Sequence, residues 1–245
     1  MQKSGVEIRR QVSEAFEAIE GELSSPVFLT CEHASQRLPE GYEWHPADRR
    51  LVGTHWAYDL GAAEITEELA TVIGAPAVLS RFSRLLIDPN RSESSETLFL
   101  AEAEGIPVEL NRDLLEEERN RRIERFHRPY HEAIDTRLGR SRAEIVFSIH
   151  SFTPVWAGKP RPMEVGVLFD EEEELAERLE RILRDAGFAT AMNEPYSGKA
   201  GLIYSAGRHA RAHGRRALEL EVRQDLSVRP DFRARLVEAL ARFFV

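Results

Sequence analysis

Clustered apolar positions along the chain predict a buried strand that ends on a histidine. Residues 144–149 are mostly apolar, and His150 follows them directly. A short continuous apolar run is typical of a parallel strand that is covered on both faces. A second run at residues 27–31 ends two positions before His33. Because ligands in open α/β sheets bind beyond the carboxyl ends of the strands, the two histidines are candidates for one shared metal or substrate site.

The commoner role of a single histidine is that of a core or surface residue with one hydrogen bond. That interpretation stays open for His33 and His150 taken one at a time. Their equivalent positions after two separate strands favour a joint role.

Residues 217–223 alternate strictly between apolar and polar side chains. One face carries Leu218, Leu220 and Val222, and the other carries Glu219, Glu221 and Arg223. A solvated edge strand would explain this alternation. If the polar face is buried instead, Glu221 is a candidate general base.

The remaining patterns alternate between helices and strands. Helical spacing predicts helices at residues 6–20, 60–73, 109–138, 171–186 and 231–245. Further strands are predicted at residues 77–79, 85–87, 165–169 and 189–192. Pro129 should kink the longest helix, and residues 92–108 form a predicted loop that could fold over the site. We expect one α/β domain spanning residues 1–245.

Composition narrows the class of function. The chain has 245 residues, 31% of them charged, and a net charge of −9, which argues against a nucleic-acid-binding surface. Residues 1–20 lack an apolar core segment, and no apolar run is long enough to span a bilayer. These features predict a cytoplasmic protein. Because Cys31 is the single cysteine, any metal here must use His, Asp or Glu.

Planar polar side chains cluster after the strand predicted at residues 85–87. Arg84, Asn90 and Arg91 can grip a carboxylate through several donors, which predicts a carboxylate-bearing small-molecule substrate. A surface salt-bridge cluster is the alternative. In the turn-rich loop at residues 193–199, Tyr196, Ser197 and Lys199 could also reach a ligand.

Three further residues have two interpretations each. Asp59 precedes a predicted helix, so it either caps that helix or serves the site. His127 and His131 share a helix face at a spacing that can bind metal, but Pro129 lies between them and the glutamate of the His-Glu-x-x-His zinc helix is missing. We interpret both as packing or substrate-edge residues.

Together these residues make the set that a zinc amide hydrolase requires. Two histidines and a carboxylate would hold the ion and leave a position for water. A glutamate would take the proton of that water and return it to the leaving amine, and an arginine would stabilise the oxyanion.

Seven short motifs in a fixed order resemble the N-formylglutamate amidohydrolase family, which is related to aspartoacylase and the zinc carboxypeptidases. They span nearly the whole chain, from about residue 27 to about residue 227. The motifs lie at residues 31–35 (Cys-Glu-His-Ala-Ser), 55–62, 80–91 (with Arg-Leu-Leu-Ile-Asp-Pro-Asn-Arg), 128–131, 148–152 (Ser-Ile-His-Ser-Phe), 193–197 and 221–226.

The resemblance implies a phosphorylase/hydrolase-like α/β fold, with a mixed, largely parallel sheet between two layers of helices. It also implies a zinc-dependent amidohydrolase of amino-acid metabolism that binds one Zn²⁺ per chain. Such an enzyme removes a formyl or other small acyl group from an N-acyl amino acid such as N-formylglutamate. By the same resemblance His33 and His150 are zinc ligands, Arg84, Asn90 and Arg91 handle the oxyanion and the substrate carboxylate, and Glu221 is the base.

Two departures from the family pattern leave alternatives open. Aspartoacylase-like relatives carry His-x-x-Glu, whereas Gln36 stands three places after His33. The third ligand is therefore Asp59 or, as the second choice, Glu32. The other departure is Pro89, so the exact substrate is not carried over. Two other functions remain open, a binding or sensor protein without efficient catalysis and a zinc carboxypeptidase-like peptidase.

Overall fold

A computed structural model describes residues 9–244. Its strands are β1 Arg10–Val12, β2 Phe16–Ile19, β3 Val27–Cys31, β4 Ala77–Ser80, β5 Glu102–Ala103, β6 Ile106–Pro107, β7 Ile145–Phe152, β8 Val155–Trp156, β9 Lys159–Pro160, β10 Val165–Leu168, β11 Thr190–Met192 and β12 Arg216–Arg223. Its α-helices are α1 Ala62–Ile73, α2 Glu116–Arg122, α3 Arg128–Leu138, α4 Glu173–Asp185, α5 Tyr204–His213, α6 Gln224–Ser227 and α7 Pro230–Phe244.

Eight strands form one mixed sheet in the order β1-β2-β4-β3-β7-β12-β10-β11. The four central strands, β4, β3, β7 and β12, run parallel to one another. Strands β5–β6 and β8–β9 are separate two-stranded hairpins. Because the central strands are parallel, their carboxyl ends meet at one edge, where ligands bind in α/β folds.

Helices cover both faces of the sheet. One core joins α1, α4 and α7 to one set of strand side chains. The second core joins the α2–α3 region and α5 to the alternate set. Successive residues of β7 show this division, because Phe147 lies in the first core and Val146 in the second. The predicted three-layer α/β architecture with a largely parallel sheet is confirmed.

The predicted helix at residues 6–20 is wrong over its described part. Residues 6–8 lie outside the described residues, and from residue 10 the chain forms the antiparallel pair β1–β2. Ala18 and Ile19 are adjacent yet buried in opposite cores, as expected for a strand. The apolar spacing of this segment coincides with a helical period by chance.

Three other assignments change. Residues 85–87 form a buried turn, in which the Leu86 amide donates to the Ser83 carbonyl. The helix predicted from residue 109 begins at Glu116. A π-helical turn, Ile123–His127, separates α2 from α3, and Pro129 lies in the first turn of α3. Finally, α5 forms where the sequence showed only a weak pattern.

Gly61 permits the tight approach of α6 to the start of α1. Its φ is +79°, and a Cβ there would lie 2.6 Å from the backbone carbonyl of Ser227. Gly53 is a matched control, because its φ is +78° and nothing lies within 4 Å of the corresponding Cβ.

We expect Gly61→Ala to lower the free energy of unfolding by about 2–4 kcal/mol, because backbone strain and overpacking add. Gly53→Ala should cost only the strain, roughly 1–2 kcal/mol. Urea denaturation of both variants measures the difference, and equal losses would show that the contact with Ser227 has no energetic weight.

Candidate metal and catalytic site

Polar side chains occupy one sheet face at the carboxyl ends of β7 and β12. In β12, Leu218 and Leu220 enter the first core, so Glu219 and Glu221 project to the opposite face. His150 of β7 is the register partner of Glu221. All three side chains are at most 5% exposed. The polar face of this strand is therefore buried, which removes the edge-strand interpretation.

His33, Asp59 and His150 form a cluster of donors suited to one metal ion. One ligand atom from each lies within 4.8 Å of the other two. The Oδ2 atom of Asp59 is 2.9 Å from His150 Nδ1 and 3.4 Å from His33 Nδ1. The structure thus brings together the two histidines and the carboxylate that the sequence suggested as ligands.

Local folding explains how Asp59 reaches this cluster. Its backbone N–H donates to the His33 carbonyl at 2.9 Å, which ties the two loops together. Gly61 is the N-cap of α1, and no side chain caps that helix. The Asp59 carboxylate instead accepts from the Ser151 backbone N–H at 3.1 Å. Of its two interpretations, the structure supports the site role.

The outer ring nitrogens of both histidines face other carboxylates. His33 Nε2 lies 2.8 Å from Asp88 Oδ1, and His150 Nε2 lies 3.1 Å from Glu32 Oε2. Such outer carboxylates orient the rings of metal-binding histidines. Glu32 therefore lies on the Nε2 side of the His150 ring, away from the Nδ1 atom that faces Asp59. This placement favours Asp59 over Glu32 as the third ligand.

Glu32 is fixed by two hydroxyl groups. Tyr130 of α3 donates to Oε1 at 3.1 Å, and the Ser148 hydroxyl donates to Oε2. Burial alone would raise the pKa of Glu32, but the hydrogen bonds and charge of His150, together with the Ser148 hydroxyl, lower it to about 2. This carboxylate stays ionised and orients His150.

His150 is held between negative charges. Burial would lower the pKa of its imidazole, but Glu219, Asp59 and Glu32 outweigh burial and raise that pKa well above its usual value. Because both ring nitrogens face carboxylates, which only accept hydrogen bonds, a doubly protonated ring matches this arrangement.

Glu219 and Glu221 differ from Glu32, because their pKa values are raised rather than lowered. Burial raises the pKa of Glu219 to about 7 and that of Glu221 well above its usual value. Within residues 9–244, the Oε2 atom of each is buried without a hydrogen-bond partner. Glu219 Oε2 lies 3.5 Å from His150 Nε2, whereas no ion pair to Glu221 occurs in this part of the chain. Both glutamates line the pocket, and Glu221 is the one whose carboxylate makes no ion pair within residues 9–244.

Arg84, Asn90 and Arg91 line the same pocket. Arg84 is anchored by Asp88 at 2.9 Å and approaches Asp59 at 3.6 Å. Asn90 Oδ1 accepts from a backbone N–H at the start of α5 at 3.0 Å. Arg91 donates to the Asn90 carbonyl at 2.8 Å and, over the described residues, has no acidic partner. Its positive charge is therefore available to a ligand.

The loop at residues 193–199 contributes one side chain to the pocket. Tyr196 lines it, whereas Ser197 and Lys199 do not; Lys199 instead lies over the Phe169 ring. The loop can lie close because a Cβ at Gly166 would be 2.1 Å from the carbonyl oxygen of residue 194. The predicted contact of Ser197 with substrate gains no support from this geometry.

His127 and His131 lie behind the pocket. His127 Nε2 is 2.9 Å from the Arg91 carbonyl oxygen, and His131 Nδ1 is 2.8 Å from His209 Nε2. Neither belongs to the metal cluster. The packing or substrate-edge role expected for them agrees with these contacts.

Sequence reasoning assigned no role to several residues of this site. Asp88 orients His33, and Glu219 approaches His150; the other lining residues without an assigned role include His55 and Gln224. The strict alternation in β12 already placed Glu219 on the same face of the strand as Glu221, so the sequence contained a signal for Glu219. Asp88 lies within the motif at residues 80–91, but its contact with His33 depends on an irregular turn whose path only the fold defines.

Known proteins resemble this chain in sequence and in fold. A profile of the N-formylglutamate amidohydrolase family matches residues 25–228. An N-formylglutamate deformylase of Pseudomonas putida is 27% identical, over 71% of this chain and 72% of that protein. The crystal structure of the Agrobacterium tumefaciens gene product Atu2144 is 28% identical, with a TM-score of 0.86 over 95% of this chain and 94% of that one. An N-formylglutamate amidohydrolase from Ralstonia eutropha shares the fold at 22% identity, with a TM-score of 0.71 over 95% of this chain and 96% of that one.

Proposed function

The chain belongs to the N-formylglutamate amidohydrolase family, hydrolases that act on an amide C–N bond, and from this premise we propose that it is a zinc-dependent enzyme that removes a formyl or other small acyl group from an N-acyl amino acid. One observation carries the proposal: His33, Asp59 and His150, which form the cluster of metal donors, line the same pocket as Glu221.

The donor set fits zinc. Two imidazole nitrogens and one carboxylate are ligands that zinc prefers, whereas calcium and magnesium favour all-oxygen sites. The outer nitrogen of each histidine already has a carboxylate partner, Asp88 for His33 and Glu32 for His150. His33, Asp59 and His150 would hold the ion, and His150 would give up its Nδ1 proton on binding while Nε2–H continues to donate to Glu32.

A bound zinc ion would acidify a water molecule and polarise the substrate carbonyl. Glu221 would accept the proton of the attacking water at its free oxygen and return it to the nitrogen of the leaving amine. A raised pKa suits both steps, because the group must take and give a proton near neutral pH.

Arginine side chains would bind the two negative charges of the substrate, the developing oxyanion and the carboxylate. Arg84, which contacts Asp88 and Asp59, would stabilise the oxyanion of the substrate carbonyl. Arg91, whose charge has no acidic partner in residues 9–244, would bind the substrate carboxylate together with Asn90. Tyr196 closes one wall of the pocket.

A chelation experiment tests the proposal. Purified protein is assayed for release of primary amine from a panel of N-formyl and N-acetyl amino acids, before and after removal of metal by dialysis against a chelator. We expect activity to fall at least about a hundredfold on removal and to return with one equivalent of zinc, because zinc supplies the nucleophile. Activity that persists in metal-free protein would refute the metal-dependent mechanism.

Among residues 9–244, none of the helices combines the length and apolar character needed to cross a membrane.

A further inference from the structure

A second cavity adjoins the catalytic pocket, and aromatic side chains form part of its wall. The two cavities share His55, Arg84, Arg91 and Tyr196. The second adds two tryptophans, Trp56 and Trp156, together with Leu85, Asp88, Thr97 and Leu100. A substrate whose amide lies beside His33 and His150 can therefore extend into this aromatic subsite.

The aromatic rings lie close together at the mouth of the subsite. The ring centroids of His55 and Trp56 are 4.8 Å apart, and those of Trp56 and Trp156 are 6.3 Å apart. Trp156 is 48% exposed, in the β8–β9 hairpin. Exposed tryptophan at the rim of a pocket is typical of a binding surface, because the ring offers a large apolar face at low entropic cost.

The charges in the subsite are suited to a single carboxylate. Arg84 pairs with Asp88 at 2.9 Å and is assigned to the oxyanion of the substrate carbonyl, so it is not counted as a partner for a second carboxylate. Arg91 is the lining cation that lacks an acidic partner within residues 9–244. Arg161 lies outside the lining of the subsite. Its guanidinium lies over the rings of Trp156 at 5.6 Å and Tyr196 at 5.4 Å and donates to the Thr153 carbonyl.

The position of Arg91 orients the substrate. Arg91 lines both cavities, so an α-carboxylate bound to it places the α-carbon at their junction. In this orientation the acylated nitrogen would lie in the cavity of His33 and His150, and the side chain would lie in the cavity of the tryptophans. The alternative, with an aromatic acyl group in the subsite, would take the amide away from the metal ligands.

On the basis of the proposed function, we propose that the substrate is an N-formyl or N-acyl amino acid with an aromatic side chain, held by Trp56, Trp156 and His55. Glutamate is disfavoured because its second carboxylate would lie against the rings of Trp56 and Trp156, while Arg84 is already paired with Asp88. The substrate of this chain then differs from the one for which its relatives are named.

Steady-state kinetics on three substrates test the inference. N-formyl-L-phenylalanine should have a kcat/KM about 10- to 100-fold above that of N-formyl-L-glutamate, because a buried phenyl ring adds apolar and aromatic contact. N-formyl-L-alanine, which leaves the subsite empty, should be cleaved more slowly than the phenylalanine derivative by a similar factor.

Two variants assign the effect to the tryptophans. Trp156→Ala should lower kcat/KM for N-formyl-L-phenylalanine about tenfold and change that for N-formyl-L-alanine less than about twofold. Val155→Ala is the matched control, because Val155 is 50% exposed on the same hairpin and lies outside the lining. It should affect neither substrate.

The outcomes separate this inference from the function on which it rests. Preference for N-formyl-L-glutamate, or equal loss on both substrates in Trp156→Ala, would overturn the aromatic subsite and leave the amidohydrolase intact. Preference for an aromatic acyl group regardless of the amino acid would also overturn it. If zinc-loaded protein cleaves no N-formyl or N-acetyl amino acid, the proposed function itself fails.

Discussion

Replacing Glu221 with glutamine is expected to lower kcat by about 10²- to 10⁴-fold while the protein keeps its zinc. Glutamine preserves the size of the side chain but cannot accept a proton, so the variant removes general acid–base catalysis alone. Glu221 has no part in the metal cluster, so metal content should stay near one ion per chain. Elemental analysis and amine-release kinetics of the same preparation measure both quantities.

Glu219→Gln is the matched control for Glu221→Gln. Glu219 is also buried, with a raised pKa, but it approaches His150 Nε2 at 3.5 Å. Its replacement should act mainly on zinc affinity, weakening it about 10- to 100-fold, as expected for a group that orients a ligand. A Glu221→Gln variant with full activity would exclude Glu221 as the base, and a large loss of kcat in Glu219→Gln at saturating zinc would transfer that role to Glu219.

The second large effect is expected from the ligands. His33→Ala and His150→Ala should each lose most of the bound zinc and at least about 10³-fold of the activity, because the nucleophile is generated at the metal. Purification under zinc-replete conditions followed by elemental analysis gives the stoichiometry. His45→Ala is the control, because His45 is an exposed histidine that does not belong to the metal cluster, and it should keep one zinc per chain.

Removing His150 also has a structural consequence. Asp59 and Glu32 would be left buried without the cation that lies between them, which costs folding free energy. Asp59→Asn is a second variant that tests the metal site, because it removes the charge of a ligand while keeping the shape of its side chain. Thermal unfolding of both variants separates loss of metal from loss of fold, and a folded Asp59→Asn variant with full zinc content would argue against Asp59 as the third ligand.

The parts of the site that lie on regular strands were predictable from the sequence. The apolar run of β7 and the alternation of β12 located His150 and Glu221 because buried strands impose a period of two on the chain. His33 followed from the end of β3.

Elements that depend on small or distant residues were not predictable in this way. Helix α5 buries Ser205, Ala206, His209 and Ala210, so its inner face lacks the large apolar residues that produce a helical signal. Trp56 and Trp156 are separated by 100 positions and meet only because two loops cross at the sheet edge. Their contact is a property of tertiary packing, and no local pattern encodes it.

The π-helical turn at residues 123–127 makes the site sensitive to the number of residues in this helical segment. Each residue of an α-helix advances about 100° around the axis, and a π-helical turn accommodates one additional residue. Deleting one residue there would restore a continuous α-helix but rotate either the preceding or the following segment by about that angle. Tyr130, which donates to Glu32, and His127, which contacts the Arg91 carbonyl, could then no longer both keep these contacts. The enzyme should therefore tolerate substitutions on the outer face of this turn better than a single-residue deletion, although such a deletion would make the helix more regular.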